Sequence, residues 1–237
     1  MTATPRAAEQ TNFDAIAEIY DSVFPPHIIE HYLRRRAGYV LRHAAVPGQS
    51  ALDVGAGTGV LAERLCDLGL GVVALDPFPQ MLGQLQQRRP AIETVVAHGD
   101  DIPFPDAAFD LTYSVAVMHH IAEPRRVRRT LSEMVRVTRP GGRILVWDHN
   151  PLNPYWSLLM RRVPQDTGAE RLVPLSELIA GLNDAGAGIV RADRLGLMPE
   201  FVPRWLLGPA AAIERAVEAT PGLRCFCAHN VVLAIKT

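Results

Sequence analysis

A glycine-rich turn between a predicted strand and a predicted helix constrains this chain more than any other feature. Residues 51–54 form a short, mostly apolar run typical of a buried strand, and apolar residues return at helical spacing over residues 60–68. Between them, Gly55, Gly57 and Gly59 remove Cβ atoms from a tight connection. Such a turn at a helix start presents backbone N–H groups to a ligand. The sequence therefore predicts an α/β fold that binds a ligand here.

Two carboxylates limit which ligand the turn accepts. Asp53 ends the first strand, and Val60 stands where the dinucleotide-binding pattern would place its third glycine. A carboxylate at this position would repel a pyrophosphate but suits a cationic group. Asp76 ends a second apolar strand about 20 residues after the first glycine, where a carboxylate accepts hydrogen bonds from ribose hydroxyls. These features favour S-adenosylmethionine (SAM) and disfavour the alternative of a nicotinamide oxidoreductase.

Four motifs in order resemble those of class I SAM-dependent methyltransferases. They are Leu52-Asp-Val-Gly-Ala-Gly-Thr-Gly59, Ala74-Leu-Asp-Pro77 with Met81-Leu82, Ile102-Pro-Phe-Pro105 with Phe109-Asp110, and Arg136-Val-Thr-Arg-Pro-Gly-Gly142. The resemblance implies a Rossmann-like sheet of seven mostly parallel strands, with the last strand antiparallel, flanked by helices. It also implies SAM as the cofactor and methyl transfer as the reaction.

The length and the motifs predict one domain over residues 1–237. Residues 1–46 are expected to form N-terminal lid helices, and residues 47–150 the SAM-binding core. Residues 151–237 would supply acceptor-side loops, an insertion and the closing strands. The first ten residues are expected to be mobile.

The cofactor-binding residues follow mainly from the resemblance. They are Asp53, Gly55, Ala56, Gly57, Asp76, Pro77, Met81, Val115 and His119. The adenine partner is less direct, because His98 occupies the position at which related enzymes carry an acidic residue. We therefore expect Asp100 or Asp101 to take that role.

Three side chains are candidates for the chemistry. His119 and His120 follow the fourth predicted strand, and because adjacent side chains diverge, one is expected to support the loop and one to face the cleft. His120 matches the cleft histidine of the sugar amino-methyltransferases that this part resembles, so it is the first candidate for a general base. His149, after the fifth strand, is the second. Tyr20 is expected either to face the cofactor or acceptor, or to pack in the core.

No metal is expected, because the two adjacent histidines need a third ligand and His149 is the only plausible one. Cys225 and Cys227 form a single C-x-C pair without a second one, which favours reduced thiols over a zinc site. The arginines at positions 34–36 indicate either an anion site or, more simply, a solvated face.

The acceptor is expected to be a small polar molecule, methylated at a sugar-like or natural-product hydroxyl. This expectation depends on polar residues near the predicted cleft: His119, His120, Asp148, His149, Asn150, Tyr155, Gln165, Asp166 and Arg171. Transfer to nitrogen or carbon, and SAM binding without transfer, remain alternatives. The insertion at residues 196–229 either caps the acceptor pocket or mediates a homodimer.

Composition excludes some partners. The net charge of −1 and the pI of about 6.7 argue against binding to nucleic acid or to an anionic membrane. There is no run of about 18 apolar residues, so a membrane span is not expected. The chain start lacks a long apolar stretch, which predicts a cytoplasmic protein.

Overall fold

The computed structural model describes residues 12–121, 123–159 and 170–237, with the side chains of residues 157–159 left out. The seven strands are β1 Ser50–Val54, β2 Gly71–Asp76, β3 Glu93–Val96, β4 Phe109–Val115, β5 Thr138–His149, β6 Ala187–Leu195 and β7 His229–Lys236. They form one sheet in the order β3-β2-β1-β4-β5-β7-β6. The first five strands pair in parallel, whereas β7 runs antiparallel to β5 and β6. The predicted fold class is confirmed.

Helices cover both faces of the sheet. They are α1 Ala17–Tyr20, α2 Pro26–His43, α3 Val60–Asp67, α4 Pro79–Arg88, α5 Met118–Ile121, α6 Pro124–Val137, α7 Pro154–Leu159, α8 Leu175–Asp184 and α9 Leu207–Ala219. One core packs α2, α3 and α4 against the sheet, and the other packs α6 and α8 against the opposite face. In α6 the pattern is clear: Val127, Leu131 and Met134 recur at helical spacing and are fully buried.

The structure departs from the sequence-based elements in three places. Residues 139–142, whose Pro-Gly-Gly sequence is typical of a turn, lie within β5, where Thr138 pairs with Phe109 and Arg143 with Leu111, so the intervening residues form an irregularity in the strand. The first of the predicted N-terminal lid helices is a 3₁₀ turn, Phe13–Ile16, followed by the single turn of α1. The acceptor-side loops expected after β5 begin with the short helix α7.

Some expectations fall on residues that the structure does not describe. These are the mobility of the first ten residues and the placement of Gln165 and Asp166. Across the described ranges, none of the helices combines the length and the apolar character that a membrane span requires.

Candidate active site

Two adjacent cavities lie at the carboxyl ends of the central strands, where open α/β sheets bind ligands. The Gly-loop cavity, of about 240 Å³, is lined by the glycine turn, the end of β2 and the N-terminal segment. The histidine cavity, of about 370 Å³, is lined by His119, His120, His149 and His229 together with aromatic side chains. Six residues line both cavities: Tyr20, Leu33, Arg36, Val60, Ala116 and His120. The two cavities therefore meet at these residues.

The glycine turn needs glycine for conformation and for space. Gly55, Gly57 and Gly59 have φ values of 79°, 55° and 76°, in the left-handed region that strains other residues. A Cβ atom on Gly55 would also lie 2.4 Å from a methyl carbon of Val117. The turn therefore brings bare backbone to the wall of the Gly-loop cavity.

Asp76 ties the turn to the end of β2. Its carboxylate accepts the backbone N–H of Gly57 at 2.8 Å and that of Phe78 at 2.9 Å. Burial raises its pKa, although the two backbone donors oppose that effect. A carboxylate has further lone pairs, so Asp76 retains acceptor capacity toward the cavity that it lines.

Asp53 is buried and lines the same cavity. Burial raises the pKa of its carboxyl group to about 7. A cationic ligand in the Gly-loop cavity would favour the ionised form and lower that pKa. The site therefore gains most from a ligand that brings positive charge.

The N-terminal segment packs over the Gly-loop cavity. Phe13 contacts Phe78 and His120 edge-on, with ring centroids 5.3 and 5.0 Å apart. Asp14 accepts the backbone N–H of Gln80 at 2.8 Å, at the start of α4. Thr58 in the glycine turn donates to Asp21 at 2.6 Å. These contacts hold the segment against the glycine turn and the start of α4, and its role as a lid stays a prediction.

His119 is a buried part of the cavity wall. Its Nδ1 lies 2.6 Å from Asp148 Oδ1, and its backbone N–H donates to Asp148 Oδ2 at 3.0 Å. The ring of His149 stacks on that of His119 at 4.0 Å and on that of Trp156 at 3.7 Å. Pairing with Asp148 turns His119 toward the histidine cavity, so it does not line the Gly-loop cavity where the cofactor assignment expected it.

His120 lies where the two cavities meet, whereas His149 lines the histidine cavity alone. Burial, with a smaller contribution from His119, lowers the pKa of His120 well below its usual range. Burial likewise lowers the pKa of His149. Both imidazoles are therefore neutral near pH 7, which is the form that a general base requires.

His119, Asp148 and His149 are close enough together to be considered as a metal site, with one candidate ligand atom from each lying within 4.8 Å of the others. The ring planes of the two histidines, however, are only 17° from parallel and 4.0 Å apart. An imidazole binds a metal in its own plane, and two stacked planes do not meet at a metal position. This arrangement fits a hydrogen-bonded stack better than a coordination sphere.

Comparison with known proteins identifies the family of the chain. A methyltransferase domain model matches residues 52–146. A demethylmenaquinone methyltransferase from Renibacterium salmoninarum is 36% identical over 172 residues, which cover 67% of this chain and 71% of the relative. The chain belongs to the class I SAM-dependent methyltransferases.

Two further similarities extend this result. A malonyl-[acyl-carrier protein] O-methyltransferase from Serratia marcescens is 33% identical over 141 residues, covering 59% of this chain and 54% of that protein. A chain from the complex of the Haloferax volcanii Trm112 activator with a methyltransferase matches with a TM-score of 0.69 at 21% identity, covering 96% of this chain and 98% of that chain. The latter supports the fold of this methyltransferase.

The residues of the Gly-loop cavity fit SAM. When bound there, SAM would supply an electrophilic methyl group for transfer to the acceptor. Eight of the eleven predicted cofactor residues line that cavity: Asp53, Gly55, Ala56, Gly57, Asp76, Pro77, Met81 and Val115. The glycine turn leaves the space that a Cβ would fill, and a buried carboxylate suits a ligand that carries positive charge. The contact that each residue makes with SAM stays a prediction.

The predicted adenine partners lie outside both cavities of the methyltransferase. Asp100 forms an ion pair with Arg126, with Nε 2.8 Å from a carboxylate oxygen, and Asp101 is exposed. His98 and Arg126 line the Gly-loop cavity instead. Sequence reasoning missed this because Arg126 comes from α6, distant in the chain, and draws Asp100 away from the cavity.

Sequence reasoning also missed residues of the histidine cavity. Trp147 and His229 come from the neighbouring strands β5 and β7, and Met198 comes from the insertion. Arg36 lines both cavities, and the only signal for it was the run of three arginines.

Proposed function

We propose that this methyltransferase transfers the methyl group of SAM to a hydroxyl of a small, ring-bearing acceptor held in the histidine cavity. The contact between the two cavities supports this proposal most directly. A donor in the Gly-loop cavity and an acceptor in the histidine cavity would meet beside Tyr20, Ala116 and His120. Holding two reactants in line supplies much of the rate enhancement for such a displacement.

The lining of the histidine cavity favours a ring-bearing natural product over a sugar. Five of its side chains are Phe24, Tyr32, Trp147, Trp156 and Phe226. Several polar side chains on which a sugar-like acceptor was predicted have protein partners instead. Asp148 binds His119, Asn150 donates to the carbonyls of Cys225 and Cys227, and Arg171 pairs with Glu177.

The proposed step needs one proton acceptor. The acceptor oxygen would bond to the methyl carbon as the carbon–sulfur bond breaks, and S-adenosylhomocysteine would be the leaving group. The hydroxyl proton passes to the neutral imidazole of His120, which lies where the cavities meet. His149 is the alternative base, and Tyr20, which lines both cavities, would orient the acceptor.

A second candidate is methyl transfer to a quinone-type ring. It is favoured by the 36% identity to a demethylmenaquinone methyltransferase. In that case His120 and His149 would orient the ring. The aromatic lining of the cavity is compatible with either acceptor, so the acceptor itself must be tested.

A panel of acceptors tests the proposal through formation of S-adenosylhomocysteine. The panel pairs mono- and bicyclic phenols with their methyl ethers, and adds hexoses and demethylated quinones. Turnover with a phenol but not with its methyl ether supports the proposal. Turnover with hexoses alone would restore the sugar-like acceptor, and turnover with quinones alone would establish the second candidate. Binding of S-adenosylhomocysteine without turnover on any acceptor would favour a non-catalytic SAM-binding protein.

We also propose that the insertion has two roles, lining the acceptor site and mediating a homodimer. Met198 and Phe226 line the histidine cavity. Phe201, Trp205 and Ile213 are exposed by 74%, 77% and 61%. Contiguous exposed apolar patches mark interaction surfaces, and these three large side chains all belong to the one insertion. Sedimentation of the wild type and of Trp205→Ser tests the dimer, which a monomeric wild type would contradict.

A further inference from the structure

Arg36 is a cation on the wall between the two cavities. It lies on α2, is half-buried, and lines both the Gly-loop cavity and the histidine cavity. Its guanidinium carbon lies 5.5 Å from the centre of the Tyr32 ring. This cation–π contact with Tyr32 is the interaction that the described residues provide for the guanidinium. Such a contact offsets only part of the free-energy cost of removing a guanidinium from water.

The neighbouring arginine shows a different arrangement. Arg35 pairs with Glu214 at 3.0 Å and with Glu218 at 2.5 Å, so its charge is neutralised within the protein. Among the described residues, Arg36 has no carboxylate within ion-pair distance. The two glutamates of the histidine cavity are engaged elsewhere: Glu214 also with His31, and Glu200 with the Tyr155 hydroxyl at 2.6 Å.

The groups near Arg36 include two histidines of the acceptor side. Its charge contributes to lowering the pKa of His229, second to burial, and is the smallest of the named causes at His149, after burial and the other three histidines. Both histidines line the histidine cavity and neither lines the Gly-loop cavity. Tyr32, beneath the guanidinium, also lines only the histidine cavity. Since arginine stays protonated in proteins, this cavity holds a permanent positive charge.

We propose that Arg36 is a specificity-determining residue that binds a carboxylate on the acceptor. The proposal rests on the proposed function, since it assumes that the histidine cavity holds the acceptor. The planar guanidinium matches a carboxylate in a bidentate pair, and the partial burial of Arg36 strengthens that pair. The acceptor would then carry a ring, a hydroxyl and a carboxylate, with the carboxylate close to the site of methyl transfer.

Calorimetry tests this without requiring turnover. The wild type, saturated with S-adenosylhomocysteine, is titrated with hydroxylated one- to three-ring carboxylic acids and with the matching carboxamides. At least one acid should bind about 10–100-fold more tightly than its amide, as expected for a charge-assisted pair. Arg36→Met should remove that difference, and Arg36→Lys should restore part of it. Arg34→Met is the matched control, because Arg34 is an exposed residue of the same helix that lines neither cavity.

Each other outcome overturns the proposal. If no acid binds more tightly than its amide, the histidine cavity does not select a carboxylate. If Arg36→Met weakens S-adenosylhomocysteine instead, leaving the preference for acids unchanged, Arg36 binds the carboxylate of the cofactor. The proposed function can fail independently of this proposal. In that case calorimetry would still show an acid binding at Arg36, but the acceptor panel would show no methyl transfer to it.

Discussion

The ring of Phe13 stands edge-on to the imidazole of His120, with centroids 5.0 Å apart and planes at 82°. Phe13 belongs to the N-terminal segment and also packs on Met81 and Phe78, so the segment over the Gly-loop cavity touches the candidate base directly. The segment therefore also shields His120 from solvent. That burial is the main cause of the lowered pKa of His120.

Replacement of His120 should separate chemistry from binding. If His120 is the base, His120→Ala should lower turnover by about 10²–10⁴-fold while the affinity for SAM changes little. A base with a lowered pKa loses activity only when it is protonated, so wild-type kcat/KM should be level near neutral pH and fall only well below pH 6.5. Rate measurements from pH 4.5 to 9 check this, and a wild-type rate that still rises between pH 7 and 8 would contradict it.

His149 requires a substitution that keeps the aromatic stack. His149→Phe preserves a ring between His119 and Trp156 but removes both nitrogens. We expect turnover within about threefold of the wild type, because His149 lies away from the Gly-loop cavity and His120 is the proposed base. A loss as large as that of His120→Ala would instead assign the base to His149. Thermal unfolding of the same variant serves as the control for folding.

Binding of SAM should release protons through Asp53. The pKa of this carboxyl group is about 7 without ligand, and a cationic ligand lowers it. Affinity should therefore rise with pH up to about 7 and level off above it. Calorimetry at pH 6 in two buffers with different ionisation enthalpies counts the protons, and Asp53→Asn should abolish the release. Equal apparent enthalpies in the two buffers would refute the role of Asp53.

The same carboxyl group also affects folding stability. As pH rises, it lowers the free energy of unfolding, whereas it raises the affinity for SAM. Its folded pKa of about 7 lies above the unfolded value of about 4, so the folded state holds a proton that the unfolded state has lost. The contribution of Asp53 to the unfolding free energy is therefore complete below pH 4 and is lost as pH rises to 7. Urea unfolding of the wild type minus that of Asp53→Asn isolates this effect.

Substitutions of Asp76 and of Asp101 together test which carboxylate belongs to the cofactor site. Asp76→Ala removes the acceptor for the Gly57 and Phe78 N–H groups and should weaken SAM binding by about 1–3 kcal/mol. Asp101→Ala should leave the affinity unchanged, because Asp101 is exposed and lines neither cavity. His98→Ala should weaken binding if His98 takes the adenine-side position. A loss with Asp101→Ala would reinstate the adenine contact expected from the sequence.

Metal removal should leave methyl transfer intact. The stacked planes of His119 and His149 do not converge on one coordination point, and Asp148 is hydrogen-bonded to His119. Prolonged dialysis against a chelator, followed by turnover and elemental analysis, tests this. Activity that disappears and returns with one equivalent of zinc, magnesium or manganese would overturn it.

The residues that could be predicted from the sequence are local to one strand–turn–helix unit. Asp53, the glycines and Asp76 lie on consecutive elements whose order fixes their positions, so their spacing was enough to place them in one cavity. The pairing of His119 with Asp148 depends instead on the register between β4 and β5. No spacing along the chain encodes that register.

The acceptor side was predicted less well for the same reason. The histidine cavity combines α2, the end of β5, α7 and the insertion, which meet only in the folded protein. Polar residues such as Asn150 and Arg171 were expected to face it, but backbone carbonyls and Glu177 satisfy them. With aromatic residues at 6% of the chain, composition gave no indication that five or more would gather around this cavity.

The strand order β3-β2-β1-β4-β5-β7-β6 has an evolutionary consequence. The donor-side carboxylates lie on β1 and β2, whereas the histidines of the other cavity lie on or directly after β4, β5 and β7. Met198 and Phe226 of the insertion between β6 and β7 line the histidine cavity and not the Gly-loop cavity. If the histidine cavity holds the acceptor as proposed, mutations in this insertion would change which molecule is methylated and leave the binding of the methyl donor intact.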